Sequence, residues 1–570
     1  MNAISHRSRS ALLWLPAALF LALFYFYPLG SILQASFARG QGGLLAPLGE
    51  AFGSPAIRGV VWFTFWQATL STLLTLAFGL PGAYLLARYR FPGKSLLQAL
   101  STIPFVLPTL VVAAAFNAML GPRGWVNLGL MELFDLAQPP VQFTYSLTAI
   151  LLAHVFYNTA IVLRLVGDFW SHLDPRLSQA AQVLGASRGQ TLRRITLPLI
   201  MPAIASAALL VFIFNFTSFG VILVLGGPRF ATLEVEIYYQ TVGLFNLPLA
   251  ATLAMLQLGC TLCLTVAYTY LLRRVSRPLS LRPGAITQKR LVSWRERLFA
   301  AVYITLLLSL LVTPLVALAA RSFTRLEAER GQLTQVERGF TLDFYKELGV
   351  NRRESLFYVS PATAIAVSLG YASATVLLAL LLGLPASWAL ARHAASPISR
   401  AFDPLLMLPL GTSAVTLGLG FILALSRPPL DLRASPLLIP LAHTLVAFPF
   451  VVRSLAPALR SIRPRLGQAA AVMGAAPLQV ARYIDLPLIG RAMLVAAIFA
   501  FTISLGEFGA TALIARPEYP TIPLVIYRFL SQPGALNYGQ ALALSTILML
   551  ITAAGMLVIE RFRIADVGEF

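Results

Sequence analysis

Few side chains in this sequence could do chemistry, and several sit where charge is expensive. Glu507 lies in SLGEFGATALIA, inside an apolar run of membrane length, and an ionised group in hydrocarbon must be paired or functional. There it could stabilise a passing cation, with Phe508 narrowing the path, or it could be hydrogen-bonded to a neighbouring helix or sit at a wet helix end. In an earlier run, NFTSFGVILVLGG, the equivalent residues are Ser218 and Phe219. His154 and His443 also lie in apolar runs, where interhelical hydrogen bonding suits an imidazole better than ligand binding. Arg164 and Arg453 have stems long enough to carry their heads to the interface. Cys260 and Cys263 form a CxxC pair, but no histidine or second pair accompanies them, so they read as core packing rather than a metal or redox site. Gly93-Lys94-Ser95 ends like a phosphate-binding loop, yet Arg88 occupies the position of the required first glycine. With no paired carboxylates, metal-ligand cluster or nucleophile–base set in the apolar runs, the sequence offers no catalytic residue and no metal site.

The elements that must position these groups are membrane helices. Of 570 residues, 58% are hydrophobic and 11% charged, with mean hydropathy +0.77, whereas a soluble domain carries about 25% charged residues. Twelve apolar stretches recur, at about 11–33, 60–87, 98–120, 145–167, 201–226, 247–272, 298–320, 363–391, 402–425, 436–458, 491–515 and 539–559. Each is long enough to cross roughly 30 Å of hydrocarbon as a helix. Pro81, Pro108 and Pro385 fall inside spans, where bundled neighbours tolerate them. The first run follows Arg7 and Arg9 but is too long for a signal peptide, so it reads as the first span. A net charge of +21 does not mark a nucleic-acid binder here, because the basic residues are distributed as the positive-inside rule requires. From Arg273 to Arg297 eight basic residues face one acid, Glu296, which sets that segment in the cytoplasm. Counting spans then puts both termini on the same side, together with Arg88, Arg90 and Lys94. The loops assigned outside, 121–144 and 227–246, carry one arginine and two acids each.

The strongest signal is internal repetition. Gln179-Ala180-Ala181, Gly185, Ile195 and Leu197-Pro198 recur as Gln468-Ala469-Ala470, Gly474, Ile484 and Leu486-Pro487, an offset of 289 from residue 179 to residue 468. The same offset relates His154 to His443, Arg164 to Arg453, Phe219-Gly220 to Phe508-Gly509 and Ile237-Tyr238 to Ile526-Tyr527. Upstream, Gly79-Leu80-Pro81 and Arg88 recur as Gly383-Leu384-Pro385 and Arg392, now offset by 304. We expect a first half at 1–274 with a polar loop at 171–198, a basic cytoplasmic linker at 275–297, and a second half at 298–570 with a polar loop at 460–487. Six spans per half is an even number, so the two copies run parallel.

Each polar loop follows the fourth span of its half and therefore lies in the cytoplasm. Its spacing predicts a short helix with a small Ala-Ala face, a turn at glycine, a second short helix, and Leu-Pro opening the fifth span. A basic loop resting near anionic lipid heads would not account for two copies with identical spacing. The segment resembles the EAA loop of binding-protein-dependent ABC importer permeases, whose pattern is E-A-A, three residues, G, nine residues, I-x-L-P, with Gln179 and Gln468 replacing the usual glutamate. The resemblance covers essentially the whole chain. It implies an all-α polytopic membrane protein of the type I ABC importer permease fold, with twelve transmembrane helices as two parallel six-helix repeats. It implies that residues 179–198 and 468–487 form coupling helices, each seated in a cleft of one of two ATPase subunits on the cytoplasmic side. It further implies an extracytoplasmic solute-binding protein, and a chain that is not an enzyme and binds no cofactor, ATP and Mg being used by the partner. The location implied is a prokaryotic cytoplasmic (inner) membrane. FWQATLSTLL, ILLAHVFYN and LGGPRFATLEVEIYYQ resemble thiamine importer permeases and, more loosely, ferric-iron ones; EFGAT at Glu507–Thr511 also resembles permeases for molybdate and related oxyanions. Thiamine and ferric iron are both cationic, which suits Glu507. A rival from another class is an ion-coupled secondary transporter with two parallel six-span halves, for which Glu507 is the single midplane candidate.

Overall fold

In hydrocarbon a backbone must close its own hydrogen bonds, so apolar runs of this length have little choice but helix. The computed structural model describes residues 13–37, 46–275, 288–325, 339–350, 359–392, 396–426 and 430–562. Arg7, Arg9 and residues 276–287 of the basic linker lie outside the described residues. Among the described residues the secondary structure is helical apart from two short strand pairings, Tyr89–Arg90 with Lys289–Arg290 and Thr324–Arg325 with Gly339–Phe340. Among the described residues, nine helices are long and apolar enough to cross a membrane: Leu13–Phe37, Pro55–Arg88, Leu147–Ser171, Gly189–Phe216, Leu247–Leu271, Trp294–Arg321, Pro361–Arg392, Leu438–Ser461 and Ala535–Ile559. Three helix pairs would each add one span, and they fall at the remaining expected positions.

Those three are not straight. Lys94–Val106 meets Thr109–Phe134 at 109°, Pro397–Gly411 meets Ala414–Ala424 at 98°, and Pro477–Leu488 meets Gly490–Gly506 at 72°. The first two breaks are repeat-related. At the first, Pro108 supplies no N–H; at the second, Ser413 Oγ accepts the N–H groups of Val415 and Thr416 at 3.1 and 3.3 Å. The expected spans at 201–226 and 491–515 are interrupted too: Leu197–Phe216 stops before the short helix Gly220–Leu225, and Gly490–Gly506 stops before Gly509–Ile514. Pro81 and Pro385, by contrast, sit inside unbroken helices.

The described helices gather into two compact units that cut across the repeats. One comprises Met1–Ala51, Ile237–Leu258 and Thr341–Phe570. Its core packs Trp14, Tyr25, Ala386, Leu417, Phe421 and Phe448 together, and Tyr25 Oη lies 2.7 Å from Thr412 Oγ1. The other comprises Phe52–Glu236 and Gly259–Phe340. It is centred on Ala83, Val162, Val166, Ile200 and Val211, and Tyr303 Oη donates to the carbonyl of Phe78 at 3.1 Å. Each unit therefore takes a membrane helix, Leu13–Phe37 or Trp294–Arg321, from the opening of the opposite repeat. Beside Trp294–Arg321, the Tyr89 phenol donates to Glu296 Oε1 at 3.1 Å. Burial, then neighbouring Tyr84 and Glu296, raises that phenol well above its ordinary pKa and keeps it a donor.

Each unit contains a close helix crossing at the same repeat-related glycine. A Cβ on Gly79 would lie 2.8 Å from Val162 Cβ, and one on Gly383 would lie 2.7 Å from Val451 Cγ1. Small residues at such crossings let helices approach in lipid, where packing drives association. Gly383→Leu should destabilise the protein by roughly 1–3 kcal/mol through overpacking. Gly370→Leu, on the same helix but with nothing within 4 Å of its Cβ position, should not; melting of the purified protein in nanodiscs compares the two.

Candidate functional site

The duplicated polar loop folds as a knob, and both copies are closed by the same turn. Pro175–Val183 begins at Asp174, whose carboxylate accepts the Arg176 N–H at 2.9 Å. It ends where Gly185, at φ +86°, lets its own N–H reach the Gln182 carbonyl while the Ala186 N–H reaches Ala181, both at 3.0 Å. In the second copy, Pro464–Val472 ends at Gly474, φ +89°, with Gly474 N–H to Ala471 and Ala475 N–H to Ala470, again both at 3.0 Å. This is the Schellman pattern, whose left-handed residue is glycine because a Cβ is penalised there.

The next turn is also shared. Gln190 Oε1 accepts the Ser187 N–H at 2.9 Å, and Gln479 Oε1 accepts the Ala476 N–H at 2.8 Å. Both chains then pass through a five-residue π-helical turn, Leu192–Thr196 and Ala481–Asp485, before the fifth span. The sequence reading missed Gln190 and Gln479, although the 289-residue offset relates them; nothing in the sequence marks the π turns. Gln179, Ala180, Gln468 and Ala469 are exposed, as are Gly185, Gly474, Leu197, Pro198 and Pro487. Ala470, Ile195, Ile484 and Leu486 are half-buried and Ala181 is buried. The tips are apolar and bare: Val183 and Leu184 are 87% and 88% exposed, Val472 and Met473 89% and 88%.

The interrupted fifth spans carry the second candidate site. Ser218 is half-buried, and Phe219, Glu507 and Phe508 are buried. His154 bonds Ser71 Oγ through Nδ1 and Ser218 Oγ through Nε2, both at 2.9 Å. The repeat-related His443 bonds Ser504 Oγ through Nδ1 at 2.8 Å, and its Nε2 lies 2.9 Å from Thr511 Oγ1 and 3.2 Å from Glu507 Oε2. Glu507 in turn accepts the Ala510 N–H at 2.8 Å, the Thr511 N–H at 3.1 Å and the Thr511 hydroxyl at 2.7 Å. Its carboxylate thus takes up the free N–H groups where Gly509–Ile514 begins, a favourable place for negative charge. Phe508 packs at 5.4 Å on Tyr527.

Motifs that looked separate in the sequence converge around the first histidine. Gln67 Nε2 donates to the Asn215 carbonyl at 3.0 Å, Asn158 Nδ2 donates to Asn215 Oδ1 at 2.7 Å, and Ser71 holds His154. Gln67 and Ser71 come from FWQATLSTLL, His154 and Asn158 from ILLAHVFYN. From the third stretch, the Leu233 N–H donates to Thr64 Oγ1 at 3.0 Å, a bond matched in the second repeat by Ile522 N–H to Ser368 Oγ at 2.8 Å. Lys94 caps a helix end: its Nζ donates to the carbonyls of Leu86 and Tyr89 at 2.5 and 3.1 Å. Cys260 is half-buried, but Cys263 is exposed on its helix, so the pair does not pack in a core as the sequence suggested; the apolar run could not show which face of that helix lies outward. Arg453 is exposed, with Nε 3.2 Å from Met407 Sδ.

A duplicated knob hung from interrupted membrane helices defines the membrane subunit of a transporter. The chain belongs to the inner-membrane permeases of binding-protein-dependent ABC importers, and residues 79–277 match the family described as "Binding-protein-dependent transport system inner membrane component". It is 30% identical over 538 residues to the thiamine transport system permease protein ThiP of Brucella suis biovar 1, covering 93% of this chain and 92% of that one. It is 28% identical over 495 residues to ThiP of Escherichia coli K12, covering 84% and 85%. A solved bacterial ABC transporter involved in alginate import matches with TM-score 0.41 and 20% identity, over 49% of this chain and 100% of that chain. The protein is thus a multi-pass permease component of a bacterial importer and not itself an enzyme; the ion-coupled alternative is set aside.

Removing the Glu507 carboxylate leaves two backbone N–H groups, a hydroxyl and His443 without their acceptor. Glu507→Ala should cost about 3 kcal/mol, as for leaving several buried donors without their acceptor, and Ser218→Ala about 1 kcal/mol, as for one neutral hydrogen bond. Thermal melting of the two variants gives the comparison.

Proposed function

We propose that this permease carries thiamine inward, driven by two copies of a cytoplasmic ABC ATPase and supplied by an extracytoplasmic binding protein. The twelve spans form two parallel six-helix repeats of the type I importer fold, with both termini and both knobs in the cytoplasm. The observation that carries the coupling reading is the knob itself, built twice with the same hydrogen bonds and ending in bare apolar pairs at Val183–Leu184 and Val472–Met473. A soluble protein surface seldom leaves such residues uncovered in contiguous patches, and a cleft on each ATPase would cover them. ATP binding closes the ATPases, the seated knobs move with them, and the permease passes from inward-opening to outward-opening; hydrolysis resets it.

For the cargo, support comes from relatives named as thiamine permeases over nearly the full length, and from Gln67, Ser71, His154 and Asn158, which carry the resemblance and gather in one buried polar cluster. We assign the transport path to the interrupted spans at Ser218–Phe219 and Glu507–Phe508. Glu507 acts there through the turn it caps, since both of its oxygens are engaged.

The test is uptake into proteoliposomes holding permease, ATPase and binding protein, with thiamine and ferric iron offered separately. Thiamine should be accumulated; accumulation of ferric iron alone would overturn the cargo assignment. Gly185→Pro with Gly474→Pro imposes φ near −65° and removes both turn N–H donors. That double variant should insert normally and transport nothing, and normal uptake would overturn the coupling assignment.

A further inference from the structure

The two knobs share their turn and differ at their base. In the second repeat the π turn Ala481–Asp485 carries Asp485 inward to 1% side-chain exposure, where both carboxylate oxygens accept from Arg392 Nη2 at 2.9 Å. Arg392 ends Pro361–Arg392, so the pair ties the end of that repeat's second span to the point where the knob joins the fifth. A buried carboxylate is stable only with its cation and hydrogen bonds in place, so the contact fixes the relative position of these elements. Apolar packing braces the same corner, with Leu459, Ile462 and Ile489 against Trp388 and Leu486.

The equivalent position of the first repeat cannot form this ion pair. The residues there are Arg88 and Thr196, and threonine is uncharged. The chain just beyond Arg88 is fastened elsewhere: Tyr89–Arg90 pairs with Lys289–Arg290, and Glu296 holds both Tyr89 Oη at 3.1 Å and Lys289 Nζ at 2.6 Å. The same corner is thus bound to the knob in one repeat and to the incoming linker in the other.

We propose that Arg392–Asp485 is a strut that makes the second knob move as one body with the second and fifth spans of its repeat, so that the two knobs transmit force unequally and the second dominates. The inference rests on the coupling role assigned above. Arg392 and Asp485 are positioning residues; neither touches cargo or nucleotide.

The test uses the full transporter in proteoliposomes and reads the ratio of binding-protein-stimulated to basal ATP hydrolysis, which needs no knowledge of the cargo. Asp485→Thr installs the residue the first repeat already carries at this corner. It should lower the ratio roughly fivefold, the lower end of coupling factors between sites. Thr196→Ala should leave the ratio unchanged, and the charge swap Arg392→Asp with Asp485→Arg should restore it. The proposal is overturned if Asp485→Thr keeps the wild-type ratio, including the case where it only lowers the melting temperature. It is equally overturned if Thr196→Ala lowers the ratio as much, or if the charge swap restores nothing. Normal uptake by the double glycine-to-proline variant would remove the coupling role itself; a dead double variant beside an unchanged Asp485→Thr would remove the strut alone.

Discussion

A helix that stops inside hydrocarbon strands backbone N–H groups that no water will take up. At two breaks in this molecule a named side chain meets that demand: Glu507 accepts from Ala510 and Thr511, and Ser413 from Val415 and Thr416. Thr64 and Ser368 do the same for Leu233 and Ile522, where short helices start in the loops after the fifth spans. These residues are polar because the backbone beside them is irregular. The broken helices can therefore stay in the membrane and supply bends that continuous helices cannot.

The histidines extend the same logic between helices. His154 and His443 each stand on the fourth span of a repeat and hold the break in the fifth, one through Ser218 and the other through Glu507 and Thr511. Duplication kept the framework and let the partners diverge. At the knobs the reverse happened: the glycine turn and the glutamine that caps the second short helix are kept in both copies, while the bases differ, Asp485 in one and Thr196 in the other. What each copy retains is a rigid apolar tip presented outward, and what varies is how firmly that tip is tied to the bundle.

Much of this was legible in the sequence, for physical reasons. Span positions follow from apolar length, and the knob follows from an offset that preserves Gly185 and Gly474 where a left-handed turn is needed. The breaks were not legible. Pro108 sits at a bend of 109° while Pro81 and Pro385 lie in unbroken helices, because neighbouring helices decide whether a lost N–H matters. Nor could periodicity reveal that Leu13–Phe37 packs with helices of the second repeat: an apolar stripe identifies a buried face without identifying its partner. Glu507 was visible as an expensive charge, but its engagement by His443, Ala510 and Thr511 needed the folded chain. The Arg392–Asp485 pair joins residues 93 positions apart and left no local trace.

The central claim is that both knobs are cytoplasmic docking elements for an ATPase. Single cysteines replacing Leu184 and Met473 in the assembled transporter, with the native Cys260 and Cys263 changed to serine, measure it most directly. Both positions should cross-link to an ATPase subunit and react with membrane-impermeant maleimide only when it is supplied on the cytoplasmic face. Reaction from the outer face, or the absence of any cross-link from either position in an assembly that transports, would contradict the account.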